Sequence, residues 1–211
     1  AVWRWFRDES ATEATYGHIS TWETSGVTEM DALFQNQGSF NEDISAWDTS
    51  GVTAMQEMFE DAEAFNQDIS GWRVGKVKNM AFMFYNAYAF NQPIGGWSIF
   101  NRPIGGWSIE AVKIMRSMFE GASAFDQDLG WCVDGVSLYD AFDDTPCEST
   151  SCGVVRGRSE GGICVTLAPT FFDGAFGDES IRTAVRAWME DRAAAEATYG
   201  HISTWETGAV T

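Results

Sequence analysis

The sequence is poor in the residues and motifs that usually carry enzyme chemistry. It has only two histidines, His18 and His201, and both lie in one phrase, EATYGHISTWET, that occurs twice. It has no phosphate-binding loop, no dinucleotide fingerprint and no His-x-x-His metal spacing. A Ser/His/Asp triad or a Cys/His site would have to be built around that repeated phrase. We therefore expect no enzymatic activity and no cofactor, and a structural role for His18.

Basic residues are also scarce, with 13 Lys and Arg against 31 Asp and Glu and a net charge of −18. Phosphate binding needs a basic face, so nucleic acid is excluded as a partner. No run of about 18 apolar residues is present, so we expect no membrane span in this chain. The acidic excess favours solubility by self-repulsion, and divalent-cation binding or a surface suited to salty water is the alternative.

Cysteine is confined to one part of the chain, at Cys132, Cys147, Cys152 and Cys164. Two disulfides are the favoured interpretation, and they imply an oxidising compartment. A zinc site is the rival, but the spacings of 15, 5 and 12 contain no C-x-x-C pair and both histidines are distant. The sequence leaves all three possible pairings open.

What is abundant is repetition. The phrase FNEDISAW at 40–47 returns as FNQDISGW at 65–72, as FNQPIGGW at 90–97 and, shortened, as FDQDLGW at 125–131. A second phrase, V-T-x-M followed by a Leu-Phe or Met-Phe pair, lies between these copies. One unit of about 25 residues cannot bury its own apolar stripe, whereas stacked units can. The repeat therefore predicts a solenoid of about five coils.

Within a unit, the Met/Phe phrase has the spacing of one short helical turn, and the D-I-S-x-W phrase favours a short strand or extended arc. An asparagine, or aspartate in the last copy, recurs at one phase, where stacked side chains can satisfy backbone groups at a bend: Asn41, Asn66, Asn91, Asn101 and Asp126. The aspartate row of Asp43, Asp68 and Asp128 is interrupted by Pro93, which argues against an ion-binding ladder. A ten-residue tandem duplication within 90–109 should bulge out as a loop.

The same phrase marks both ends of the chain. Residues 1–28 align with 184–211 at 19 of 28 identical positions, so the second copy has the sequence of the start of a further unit. The predicted organisation is a capping helix at 1–14, the solenoid at 15–131, a Cys-rich cap at 132–164, a linker at 165–178, and the helix and half-coil of a next unit at 179–211. The residues expected to pack between units are the apolar positions of the two helices: Val2, Trp5, Phe6, Ile181, Val185, Trp188 and Met189.

The phrases FNQDISGW and VTAMQEMFEDAEAF resemble the repeat of BspA-like surface proteins, leucine-rich-repeat relatives found in bacteria and, in tandem arrays, in unicellular algae. The resemblance covers about residues 15–145. It implies an α/β, leucine-rich-repeat-like solenoid on a cell surface, closed by an N-terminal capping helix and a disulfide-stapled C-terminal cap. It carries over no catalytic residues, because the family motif has none.

Two functions follow as hypotheses. The first is a structural unit of an extracellular filament or giant tandem array, whose neighbouring units assemble head to tail. The second is a surface adhesin or receptor module that binds protein or glycan, with Trp97 and Trp107 of the duplicated loop as candidate contacts. A weak calcium site is the remaining candidate, because four acidic residues cluster near the Cys-rich cap: Asp140, Asp143, Asp144 and Glu148.

Overall fold

A computed structural model of the chain describes residues 1–95, 97–99, 102–104, 106–160 and 163–165. The predicted linker and the predicted helix of a next unit lie outside the described residues. The same applies to four of the residues expected to pack between units: Ile181, Val185, Trp188 and Met189. None of the helices in the described part has the length and apolar character needed to cross a membrane.

The chain begins with two short helices, α1 (Val2–Arg7) and α2 (Glu9–Tyr16), where the sequence predicted a single capping helix. Asp8 separates them, because its side chain accepts a hydrogen bond from the Ala11 N–H at 3.0 Å and so caps the start of α2. A single turn of 3₁₀ helix, Ile19–Thr21, leads from the helices into the repeats.

The repeats stack on one another in parallel. We number them repeat 1 (19–43), repeat 2 (44–68), repeat 3 (69–93), repeat 4 (94–128) and repeat 5 (129–152). A continuous row of parallel bridges joins one residue from each: Glu29, Ala54, Asn79, Ile114 and Ser137. From repeat 1 the N–H groups of Met30, Ala32, Phe34 and Asn36 donate to carbonyls of repeat 2 at 2.8–3.0 Å, and the next three junctions repeat this pattern.

Local conformation within a repeat differs from the predicted helical turn and strand. Two non-helical residues recur in the Met/Phe phrase with positive φ, as at Ala32 (53°) and Asn36 (59°) of repeat 1. A left-handed residue interrupts a right-handed helix, so this phrase forms linked turns whose alternate N–H groups point toward the next repeat. The parallel bridges lie in the V-T-x-M phrase rather than in D-I-S-x-W, because the bridged residues directly precede Met30 and its equivalents.

Two columns of stacked phenylalanine rings form the core. One runs through Phe34, Phe59, Phe84, Phe119 and Phe142, with ring centroids 5.3–5.8 Å apart. The other runs through Phe40, Phe65, Phe90 and Phe125 at 5.9–6.0 Å. Each such pair adds about 0.5–1.5 kcal/mol beyond the burial of its area, so the stack gains stability from ring contacts at every junction.

Two polar columns hold the repeats in register. The Asn66 N–H donates to Asn41 Oδ1 at 2.8 Å, and the Asn91 N–H donates to Asn66 Oδ1 at 2.9 Å. Asp126 ends this column by donating its N–H to Asn91 Oδ1, while Asn101 lies outside the described residues. On the D-I-S-x-W side, Trp Nε1 donates to a carbonyl of the preceding repeat at 2.9–3.2 Å, as Trp72 does to Ile44.

The duplicated decapeptide leaves the stack as a hairpin. Strand β1 (Trp97–Ile99) pairs antiparallel with β2 (Arg102–Ile104). Repeat 4 resumes at Trp107, whose N–H donates to the Ile94 carbonyl at 3.0 Å, the bond that Trp72 makes to Ile69 in repeat 3. The first copy therefore supplies Ile94 and the second supplies Trp107, with twelve residues between them where repeat 3 has two.

The C-terminal end is closed by short strands and two disulfides. Strand β3 (Cys132–Val133) pairs in parallel with β4 (Val155–Arg156), and β5 (Arg158–Glu160) forms a two-stranded sheet with β6 (Ile163–Val165). A 3₁₀ segment, Glu148–Gly153, lies between β3 and β4. The disulfides join Cys132 to Cys164 and Cys147 to Cys152. This settles the pairing that the sequence left open.

Candidate interaction surfaces

The inward face of α1 covers the first repeat. Val2 and Trp5 are buried, and Trp5 packs edge-on against Trp22 with ring centroids 5.9 Å apart. Phe6 packs against Phe34 and Phe40, at the ends of the two phenylalanine columns. Val2 and Trp5, which the sequence assigned to contacts between units, are thus buried within their own chain, while Phe6 keeps 36% of its surface exposed.

His18 joins α2 to the first repeat. Its Nδ1 lies 2.8 Å from Ser20 Oγ and accepts the Ser20 N–H at 3.3 Å, which caps the first 3₁₀ helix. Its Nε2 lies 3.5 Å from Glu42 and 3.8 Å from Glu13. The sequence did not predict this Ser–His–Glu group. Both contacts to Nδ1 are made within one turn of chain, and they stabilise the start of the 3₁₀ helix.

The outward face of α1 combines an exposed aromatic ring with cations. Trp3 is 71% exposed, and the Arg7 guanidinium lies over its ring at 5.5 Å from the centroid. Arg4 donates to the Tyr16 hydroxyl at 3.3 Å, which ties α1 to α2. The charged residues of α1 are both basic, in a chain with an excess of acidic side chains. We call Trp3, Arg4, Arg7 and Tyr16 the N-terminal end surface.

At the other end, a groove of about 260 Å³ opens beside the last phenylalanine of the core. It is lined by apolar side chains, Leu138, Ala141, Phe142 and Val154, and by polar ones, Asp143, Glu148, Ser151 and Arg156. We call these eight residues the C-terminal groove. The N–H groups of Leu138, Asp140 and Phe142 find no backbone acceptor among the described residues, although their equivalents in repeats 1–4 donate to the next repeat. Within the described residues, no further repeat pairs with the edge of the stack beside the groove.

Negative charge gathers around the groove. Burial raises the pKa of Asp143 above its ordinary value, and the nearby carboxylates of Asp140, Glu148, Glu120 and Asp144 add to the rise. The Asp144 N–H donates to Glu148 Oε2 at 3.3 Å. The structure thus brings the four predicted calcium candidates into one region, yet no group of three or more His, Cys, Asp or Glu in the described part could hold a metal ion.

The recurring aspartates accept hydrogen bonds within backbone turns. Asp43 and Asp68 accept the backbone N–H two residues later, each at 2.9 Å from Ser45 and Ser70. Hydrogen bonds from the same serines hold the pKa values of both aspartates below the ordinary range. These carboxylates therefore stabilise the turn that begins each D-I-S-x-W phrase.

The flank of the stack carries a smaller aromatic group. The Arg116 guanidinium lies 5.3 Å from the Phe82 ring centroid and 5.9 Å from that of Tyr139, which is 66% exposed. Of the two tryptophans proposed as contacts, Trp107 is buried, which corrects its assignment as an exposed residue. The side chain of Trp97 lies outside the described residues.

A comparison with family models found one match. The family described as "Mycoplasma protein of unknown function, DUF285" matches residues 4–99 and 98–145, more than half of the chain. The overlap of the two matched segments falls at the duplicated decapeptide, where the repeat is interrupted. Comparisons with curated proteins and with solved structures found no match.

Proposed function

This chain belongs to the family described as Mycoplasma protein of unknown function, DUF285, and from that premise we propose that it is a structural unit of an extracellular, cell-surface filament or tandem array. In this proposal the stacked repeats are a leucine-rich-repeat-like solenoid of the BspA type. Units assemble head to tail, and the chain has no enzymatic activity.

The observation that carries the proposal is the second copy of the 1–28 segment at 184–211. The first copy supplies the cap of a repeat stack, because Phe6 packs on the two phenylalanine columns and Ile19 accepts the Trp47 Nε1–H at 2.9 Å. In the second copy Ile202 stands at the position of Ile19 and Met189 at that of Phe6, so the chain joins one repeat stack to the sequence start of a further unit. Units joined in this way have unlike ends, and unlike ends make open assemblies unless the rotation closes a ring.

Two disulfides support the extracellular part of the proposal, because such bonds persist in oxidising compartments. The longer one joins residues 32 positions apart and ties β3 to the end of the described chain. A stack whose last edge is open gains from such a covalent closure, since its terminal repeat has a neighbour on only one side.

Sedimentation velocity at rising protein concentration, with electron microscopy of the same samples, tests assembly. Head-to-tail growth predicts a mass that rises continuously with concentration, together with linear particles. A monodisperse monomer over the whole range would contradict the proposal.

An adhesin that binds protein or glycan is the second candidate, and the exposed rings of Tyr88 (44%) and Tyr139 favour it. The tryptophans weigh against it, because most of those with described side chains are buried in the stack: Trp5, Trp47, Trp72, Trp107 and Trp131. A glycan array distinguishes the candidates: binding that a Tyr139→Ala variant loses would favour the adhesin, and no binding would favour the structural unit.

A further inference from the structure

The N-terminal end surface exposes a large apolar side chain, that of Trp3, to solvent. Trp3 is far more exposed than Trp5 on the inward face of the same helix, which is 4% exposed. Arg7 lies over the Trp3 ring and Arg4 is held by Tyr16, so the ring and both cations are oriented before any partner arrives. An oriented aromatic ring beside arginine is the composition typical of an interface anchor.

The C-terminal groove has the complementary character. Its lining includes the partly buried Leu138 and the Phe142 ring, both in the last described repeat. The lining also carries Asp143 and Glu148, with Arg156 as its basic residue. Burial and, after it, the neighbouring carboxylates raise the pKa of Asp143, so an incoming cation would stabilise its charged form.

We propose that the C-terminal groove binds α1 of a second copy of this chain, with Trp3 entering the groove and Arg4 and Arg7 facing Asp143 and Glu148. The occupant is assigned by charge complementarity, because the basic helix and the acidic groove lie at opposite ends of the same chain. Two grooves that carry Asp143 and Glu148 repel each other, whereas Arg4 and Arg7 of α1 attract these carboxylates, which favours head-to-tail contact. This inference rests on the proposed function and specifies which two surfaces meet when neighbouring chains assemble head to tail.

Two charge-reversed variants test the contact. Arg4→Glu/Arg7→Glu blocks the N-terminal end surface, and Asp143→Lys/Glu148→Lys blocks the groove. In sedimentation velocity at about 50 mM salt, where exposed charges are weakly screened, wild-type chain should assemble. Each variant alone should need at least about tenfold more protein to associate. An equimolar mixture should regain assembly, because the unaltered groove of one variant meets the unaltered α1 of the other, and the two charge-reversed surfaces are again opposite in sign.

Matched controls separate this contact from general charge effects. Arg73→Glu/Lys76→Glu makes the same change in charge on the flank of the stack and should assemble like wild type. Trp3→Ala changes no charge and should also weaken assembly, because it removes the apolar anchor. Circular dichroism and thermal unfolding confirm that each variant is folded.

The outcomes distinguish the two proposals. Assembly of wild type together with unchanged assembly of both blocked variants would overturn this contact and leave head-to-tail assembly standing. A wild type that stays monomeric at every concentration would overturn both. A mixture that stays monomeric where wild-type chain assembles would also refute the contact, since it offers the original pair of opposite charges as well as the reversed pair.

Discussion

Among the described residues, Trp131 has a buried indole N–H without a hydrogen-bond partner, and replacing it by phenylalanine should cost little stability. In repeats 2, 3 and 4 the tryptophan Nε1–H reaches a carbonyl of the preceding repeat, as Trp72 does to Ile44 at 3.2 Å. Repeat 5 reads Leu129-Gly130-Trp131, one residue shorter than Ile-Ser-Gly-Trp. The shift leaves Trp131 Nε1 buried and without a hydrogen bond.

Trp72→Phe is the matched control, because Trp72 and Trp131 are 3% and 4% exposed and lose the same atoms. Trp72→Phe also removes a hydrogen bond worth about 0.5–1.5 kcal/mol, whereas Trp131→Phe removes an unsatisfied buried donor that costs about 1–3 kcal/mol. The two variants should therefore differ in free energy of unfolding by roughly 2–4 kcal/mol, with Trp131→Phe the more stable.

Urea denaturation with the disulfides intact, followed by far-ultraviolet circular dichroism, measures this difference. The comparison holds if the slope of free energy against denaturant is unchanged and a second probe gives the same transition, since long repeat stacks can unfold in stages. Equal losses in both variants, or a larger loss in Trp131→Phe, would refute the account of the orphaned N–H.

Three further predictions concern the hairpin, the acidic groove and the longer disulfide. Deletion of residues 96–105 should change stability by less than about 1 kcal/mol, because Trp107 already occupies its place in the stack and only loop-closure entropy changes. Asp143→Asn should raise the denaturation midpoint at pH 7 and leave it unchanged near pH 3. When folding raises the pKa of an aspartate, the folded state loses no stability at pH values below the ordinary pKa of 3.8. It loses the full free energy at pH values above the raised pKa. The Cys132→Ser/Cys164→Ser variant should lose about 4 kcal/mol, because a disulfide spanning 32 residues restricts the unfolded chain.

Each of these predictions has a control. Deletion of the ten residues 60–69, which lie within two repeats, should abolish cooperative unfolding. Asp143→Asn is to be compared with Asp126→Asn, an exposed position outside the groove whose backbone N–H makes its described hydrogen bond, across the same pH series. Loss of the shorter disulfide, whose cysteines are five positions apart, should cost about 2 kcal/mol by the same entropy argument. A greater loss from the shorter bond would contradict it.

Much of the local chemistry was visible in the sequence. The recurrence of Asn41, Asn66 and Asn91 predicted stacked side chains that satisfy backbone groups, and the hydrogen bonds between these residues have that form. The confinement of cysteine to one region predicted disulfides there, and the structure forms two. Single-sequence patterns identify such columns because one position recurs with the same neighbours.

The local conformation was harder to predict. Apolar residues three and four apart are shared by helical turns and by turns with left-handed residues, so the pattern did not distinguish them. The positive φ of Ala32 and Asn36 is imposed by hydrogen bonds to the next repeat, which periodicity within one repeat cannot reveal. The Ser20–His18–Glu42 group was missed for a related reason, because Glu42 reaches His18 only after repeat 1 has folded back.

The sequence by itself determined that the chain is a series of like units, because repetition at a fixed spacing requires like neighbours. Tertiary structure decided what the first helix and the last described repeat present at the surface. Trp3 and Trp5 stand two positions apart in one helix, and only packing on repeat 1 decides that Trp5 is buried and Trp3 is exposed. The groove around Phe142 likewise exists because stacking stops there, leaving core side chains and carboxylates together at one surface.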